Sequence, residues 1–142
     1  MEMMLKRFTL VIFASLCLLI AGGIQYAHAA DLAGQVTFSL PRTPAHDEAV
    51  RVRISAGVLP RGARIVVRSM DGRILGTVSP FGVRPGQPSG VYTIPLPERV
   101  LKDGKVSLVL QLKQKGAKGV RAPSAEEFLG AELVYIPITP FD

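Results

Sequence analysis

Tryptophan is absent from this chain, cysteine occurs once and histidine twice. Cys17 and His28 both fall within the first 29 residues. From Ala30 onward there is no thiol, which excludes disulfides, thiolate metal sites and a cysteine nucleophile. His46 is then the sole imidazole, and no Gly-x-Ser-x-Gly frame surrounds any serine. Soft-metal chemistry is equally short of ligands, because only Met70 and His46 remain for it. His46, Asp47 and Glu48 are consecutive residues and do not by themselves converge tetrahedrally on a metal. Glu126 and Glu127 are adjacent, so on a strand they point to opposite faces and make a poor pair for glycoside hydrolysis. These absences predict no enzyme activity and no cofactor. Without tryptophan, the aromatic platforms of carbohydrate-binding modules reduce to Phe81 on a Gly/Pro-rich loop, which is expected to plug the end of the sandwich, with display of the ring as the alternative. Phe38, Tyr92, Phe128 and Tyr135 sit where a core needs them.

What is present begins with a leader. Lys6 and Arg7 precede an apolar run from Leu10 to Ile20, Gly22 and Gly23 break it, and Ala27-His28-Ala29 supplies small residues at the peptidase positions. This pattern predicts a signal peptide over residues 1–29, cleaved after Ala29, and one domain over 30–142. A retained anchor and a lipoprotein are the alternatives. The Ala-x-Ala site argues against the first. Leu16, which is not small, argues against the second at Cys17. A leader followed by a cysteine-free chain predicts a bacterial periplasmic or secreted protein that meets the membrane only transiently, through that leader.

The chain carries a net charge of +6, and removal of Glu2, Lys6 and Arg7 lowers it by one unit. A basic exported protein is suited to lipopolysaccharide, an anionic glycan or an acidic protein face. No nucleic-acid motif is present, and nucleic acid is not expected as a partner.

Apolar residues alternate with polar ones in short runs separated by Gly and Pro, and no helical period extends beyond two turns. Val36, Phe38 and Leu40 mark a first strand, and Val50, Val52 and Ile54 a second. Ile65 and Val67 mark a third. Asp71-Gly72 predicts a two-residue hairpin turn that pairs Ile65 with Val78 and Arg68 with Leu75. That register places Ile65, Val67, Ile74 and Val78 on one buried face. Val91 to Leu96 is a strand whose Pro95 marks a sheet edge or a strand end. One helical turn is expected at Glu98 to Leu101. Val106 to Leu112 is the cleanest strand, Lys113 to Ala125 a basic loop, and Leu133 to Ile138 a last strand. Ser124-x-x-Glu127 resembles a capping box. The expected fold is all-β, an antiparallel sandwich of about seven strands with immunoglobulin-like or fibronectin-III-like architecture, a jelly roll being the alternative.

Arginine supplies the candidate site. Arg51, Arg53, Arg64, Arg68 and Arg73 occupy outward positions. If the second and third strands are sheet neighbours, the five form one basic face. If those strands belong to opposite sheets, the patch splits. Like charges across strands oppose folding, and a binding role would offset that cost, with ordinary solubilising surface charge as the alternative. The expected function is that of an exported, non-catalytic binding or accessory module for an anionic polymer or protein. A subunit of a surface assembly is the alternative, and an enzyme or metal protein working near His46 a more distant one.

Overall fold

Residues whose apolar side chains recur at every second position bury one face of a strand, and two such faces close on each other. The computed structural model describes residues 34–139, so the expected leader and its cleavage site lie outside the described residues. The described residues form eight strands: β1 (Gln35–Ser39), β2 (Glu48–Ala56), β3 (Ala63–Ser69), β4 (Ile74–Val78), β5 (Gly90–Pro95), β6 (Leu101–Lys102), β7 (Lys105–Gln114) and β8 (Phe128–Pro137). The only helical element among the described residues is a 3-10 turn over Glu98–Val100, where one turn was expected. All strand pairs are antiparallel. They build a five-stranded sheet in the order β1-β7-β3-β4, with β6 also on β7, and a three-stranded sheet in the order β5-β2-β8. The two sheets share one core that includes Val36, Val52, Ile54, Ile65, Val67, Leu108, Leu112 and Phe128. Each such side chain contributes about 1.5–3 kcal/mol of burial.

Differences from the expected elements have local causes. The short β6 is the eighth strand and turns into β7 through Asp103 and Gly104, both at positive φ. Strand β7 runs on to Gln114 because Lys113 keeps the alternation and pairs with Arg64. Strand β8 starts at Phe128, which is buried, five residues before the expected Leu133.

The β3–β4 turn departs from the two-residue prediction. Gly72 N–H donates to the Ser69 carbonyl at 3.0 Å, and Ser69 N–H donates to the Arg73 carbonyl at 2.9 Å. The loop is therefore the three residues Met70, Asp71 and Gly72. Gly72 alone takes positive φ, at 86°, as in a type I turn closed by one left-handed residue. The additional residue shifts the register between Val67 and Arg68, so Arg68 pairs with Ile74 and not with Leu75. Past that bulge, Ile65 pairs with Val78 and Val67 with Gly76, as expected. Ile74, expected in the core, lies outside and is 58% exposed.

Pro95 ends β5, an edge strand. Both main-chain groups of a residue in an antiparallel ladder point to the same neighbour, and the direction alternates along the strand. Leu96 N–H donates to the Val50 carbonyl at 3.0 Å, so the even residues of β2 bond β5. Tyr92 and Ile94 therefore face β2, while Pro95 faces outward, where its missing N–H interrupts no pairing.

Candidate functional site

The outer face of the five-stranded sheet is read from register, since directly opposed residues share a face. On β3 the outward residues are Arg64, Val66 and Arg68, and on β7 they are Lys105, Ser107, Val109, Gln111 and Lys113. Arg64 lies directly opposite Lys113, and Lys102 of β6 directly opposite Lys105. Every charged side chain at these positions is therefore a cation. Val66, though outward, is only 6% exposed, as expected where flanking arginines lay their aliphatic stems over an apolar neighbour. Arg68 is held in place: its Nε donates to Gln111 Oε1 at 2.9 Å and its Nη1 to the Gly72 carbonyl at 2.8 Å. Among the described residues, none of Arg64, Arg68, Lys102, Lys105 and Lys113 forms an ion pair.

At the β3–β4 end of this face lies a hollow of about 390 Å³ lined by Ser69, Asp71, Arg99, Lys102, Lys105 and Ser107 among others. Asp71 is its one acidic wall residue. The Ser69 hydroxyl donates to the Asp71 carboxylate. That bond, with the nearby Arg73 guanidinium at 3.3 Å, holds the carboxyl below its ordinary pKa.

The five predicted arginines do not share one face. The Gly57–Gly62 turn carries the chain from one sheet to the other, so β2 and β3 are not neighbours. Arg64 and Arg68 lie on the five-stranded sheet and Arg73 follows its hairpin turn. Arg51 and Arg53 lie on the outer face of the three-stranded sheet. There Arg53 Nη1 meets Glu132 Oε1 at 2.8 Å, which neutralises it. Arg51 stands between Pro95 and Val134, with its Nε buried and without a hydrogen-bond partner. Lys102 and Lys105 were missed as site residues. The signal was present, because Lys105 begins the β7 alternation on its outward phase.

Phe81 is displayed, with 98% of its surface exposed, while Phe38 and Phe128 are buried. Its loop leaves β4 at the sandwich end that also carries the 57–62 and 115–127 connections. Tyr92 O–H donates to the Ser89 carbonyl at 3.0 Å and ties down the base of the loop. Phe81→Ala is expected to change unfolding free energy by less than about 0.5 kcal/mol in urea titrations, because nothing is packed against the ring.

His46 and Asp47 are exposed. Their neighbour Glu48 serves the loop: its carboxylate accepts from both Arg42 Nη atoms at 2.6 and 2.8 Å and from Ala45 N–H at 3.0 Å. The Arg42 guanidinium also lies 4.3 Å from the centre of the Tyr135 ring, and Tyr135 O–H donates to the Arg42 carbonyl at 2.8 Å. Among the described residues, no three His, Cys, Asp or Glu side chains are placed to hold a metal.

The hydrogen bonds from Arg42 and Ala45 lower the Glu48 pKa from 4.5 to about 2. Asp71 and Glu127 shift in the same direction. A carboxyl depressed in the folded state adds stability that is complete above its unfolded pKa and lost as pH falls through the folded one. Tm followed by circular dichroism is therefore expected to be level above about pH 5 and to fall between 4.5 and about 2, with a smaller fall in Glu48→Gln.

No family model matches this chain, and neither a curated protein nor a solved structure matches it.

Proposed function

We propose that this protein is an exported, non-catalytic binding module that takes an anionic polymer, such as an acidic polysaccharide or lipopolysaccharide, along the outer face of its five-stranded sheet. The observation that carries the reading is the pair of like-charged cross-strand contacts on that face, Arg64 opposite Lys113 and Lys102 opposite Lys105. Each opposes folding, and a polyanion laid across the face removes the repulsion. The hollow beside Lys102 and Lys105 extends the same cationic surface with Arg99. For the architecture, we propose an immunoglobulin-like or fibronectin-III-like sandwich. Strands β2 and β5 in one sheet, and β3, β4 and β7 in the other, follow the division of such folds, with the first and last strands exchanged between sheets.

The test is retention on heparin and on immobilised lipopolysaccharide across a salt series. Charge reversal at Arg64, Lys105 and Lys113 is expected to lower affinity by about tenfold at ionic strength near 0.15 M and to flatten the salt dependence. Reversal at Arg53, already paired with Glu132, is expected to leave the slope unchanged. A salt slope that ignores the first set overturns the reading.

A further inference from the structure

The free edge of β8 is a second surface, independent of the basic face. Strand β8 runs ten residues, Phe128–Pro137, and among the described residues pairs on one side only, with β2. Ile138 N–H donates to the Asp47 carbonyl, which fixes the parity: Glu132, Val134 and Ile136 direct their main-chain groups to β2. Ala131, Leu133 and Tyr135 direct theirs away from it. The run Leu133-Val134-Tyr135-Ile136 is apolar and half-buried on both faces. Natural edges are blunted by shortness, lysine, inward charge or proline. β1 and β4 are five residues each and β5 ends on an outward Pro95. β8 carries no lysine, and its proline, like Pro95, stands last and faces outward, but its ten residues leave Ala131, Leu133 and Tyr135 free to pair where the six of β5 leave only Val91 and Thr93.

We infer that β8 pairs antiparallel with β8 of a second copy of this chain, about a two-fold axis at Leu133. Three axes bring the outward main-chain groups of the central segment against their own kind. An axis at Glu132 sets that carboxylate directly against itself. An axis at Val134 sets Ala131 against Pro137, which has no N–H to give. An axis at Leu133 sets Ala131 against Tyr135, small against large, Leu133 against itself and Glu132 against Val134. It makes about six inter-copy backbone hydrogen bonds, two for each bonded pair. Charge agrees with a second copy as occupant. Among the described residues, the Arg53–Glu132 pair leaves Arg51, beside Val134, as the one unpaired cation next to this strip, within reach of Glu132 of a second copy, while the unpaired cations of β3, β6 and β7 lie on the other sheet.

Sedimentation equilibrium of protein purified from expression of the full-length chain tests this over about 5–500 μM, a range that suits a small interface. The expected result is a reversible dimer. Val134 is half-buried on the outer face and opposes Glu132 of the second copy twice. Val134→Glu is expected to weaken the dimer about tenfold, and Val134→Lys to leave it as tight or tighter. Both variants are expected to keep the wild-type far-ultraviolet circular dichroism. A monomer throughout the range overturns the inference. So do equal losses in the two Val134 variants, or a monomer that instead takes up extended peptides from other proteins.

Discussion

Gly57→Ala is expected to destabilise the fold by about 3 kcal/mol, the upper end of overpacking costs, and to lower Tm by on the order of 15 °C in a domain of this size. Gly57 lies just past β2, where two connections converge. Its N–H donates to the Glu127 carbonyl at 2.9 Å, and its carbonyl accepts from Ser89 N–H at 2.9 Å. A Cβ built there stands 1.9 Å from the Glu126 carbonyl oxygen and 3.2 Å from a Leu129 methyl. The obstacle is main chain, which cannot rotate aside as a side chain would. Either the clash forces the 124–127 turn outward, or the two hydrogen bonds stretch. Gly72→Ala is the control. Gly72 has positive φ but nothing within 4 Å of its added Cβ, so only left-handed strain of about 1 kcal/mol is expected. Thermal melts of the two variants side by side distinguish a blocked contact from a strained turn.

Glu127→Ala is expected to cost about 2–3 kcal/mol, read from urea unfolding, because it removes several charge-assisted hydrogen bonds at once. Glu127 is only 6% exposed. Its carboxylate accepts from Arg121 Nη1 and Nη2 at 2.8 and 2.6 Å and from Ser124 N–H at 2.8 Å. Arg121 in turn exchanges main-chain hydrogen bonds with Leu112. The clamp therefore fastens the long β7–β8 connection to the last residues of β7, beyond the end of β1. Glu127→Gln keeps the shape and an acceptor and is expected to lose less. The Arg121 and Ser124 hydrogen bonds hold this carboxyl below its ordinary pKa. The Glu127→Gln deficit is therefore expected to be full at neutral pH and to shrink as pH falls through the folded-state pKa.

Alternation made most of the strands legible. Val106, Leu108, Leu110 and Leu112 announced β7, and Val50, Val52 and Ile54 announced β2. Alternation fixes which face a residue takes but not which strand lies beside it. The division of Arg51 and Arg53 from Arg64 and Arg68 was therefore open until the Gly57–Gly62 turn was seen to cross between sheets. The bulge at Arg68 was hidden for a similar reason. Asp71-Gly72 suits a two-residue turn and a three-residue one alike, and the choice rests on whether one residue or two takes positive φ. At Glu127 the capping-box reading was incomplete. Ser124-x-x-Glu127 closes as half of a capping box with no helix behind it. The arginine that buries the carboxylate lies six residues upstream, beyond the reach of a local pattern. Phe81 was expected to plug the sandwich end, and the loop presents it to solvent instead. The outward phase of Lys105 was legible from the β7 alternation, but its neighbour Lys102 was not, because only the β6–β7 register sets the two side by side.

The outward placement of Pro95 has a consequence for crowding and storage. A ribbon grows into a fibre only when each unit accepts a neighbour on both flanks. In the three-stranded sheet the β5 flank offers only Val91 and Thr93 as outward donors before its imide, against Ala131, Leu133 and Tyr135 on the β8 flank, so the shortened β5 flank is the stop to stacking along that direction. Substituting Pro95 with a residue that can donate there restores the second flank and removes this stop.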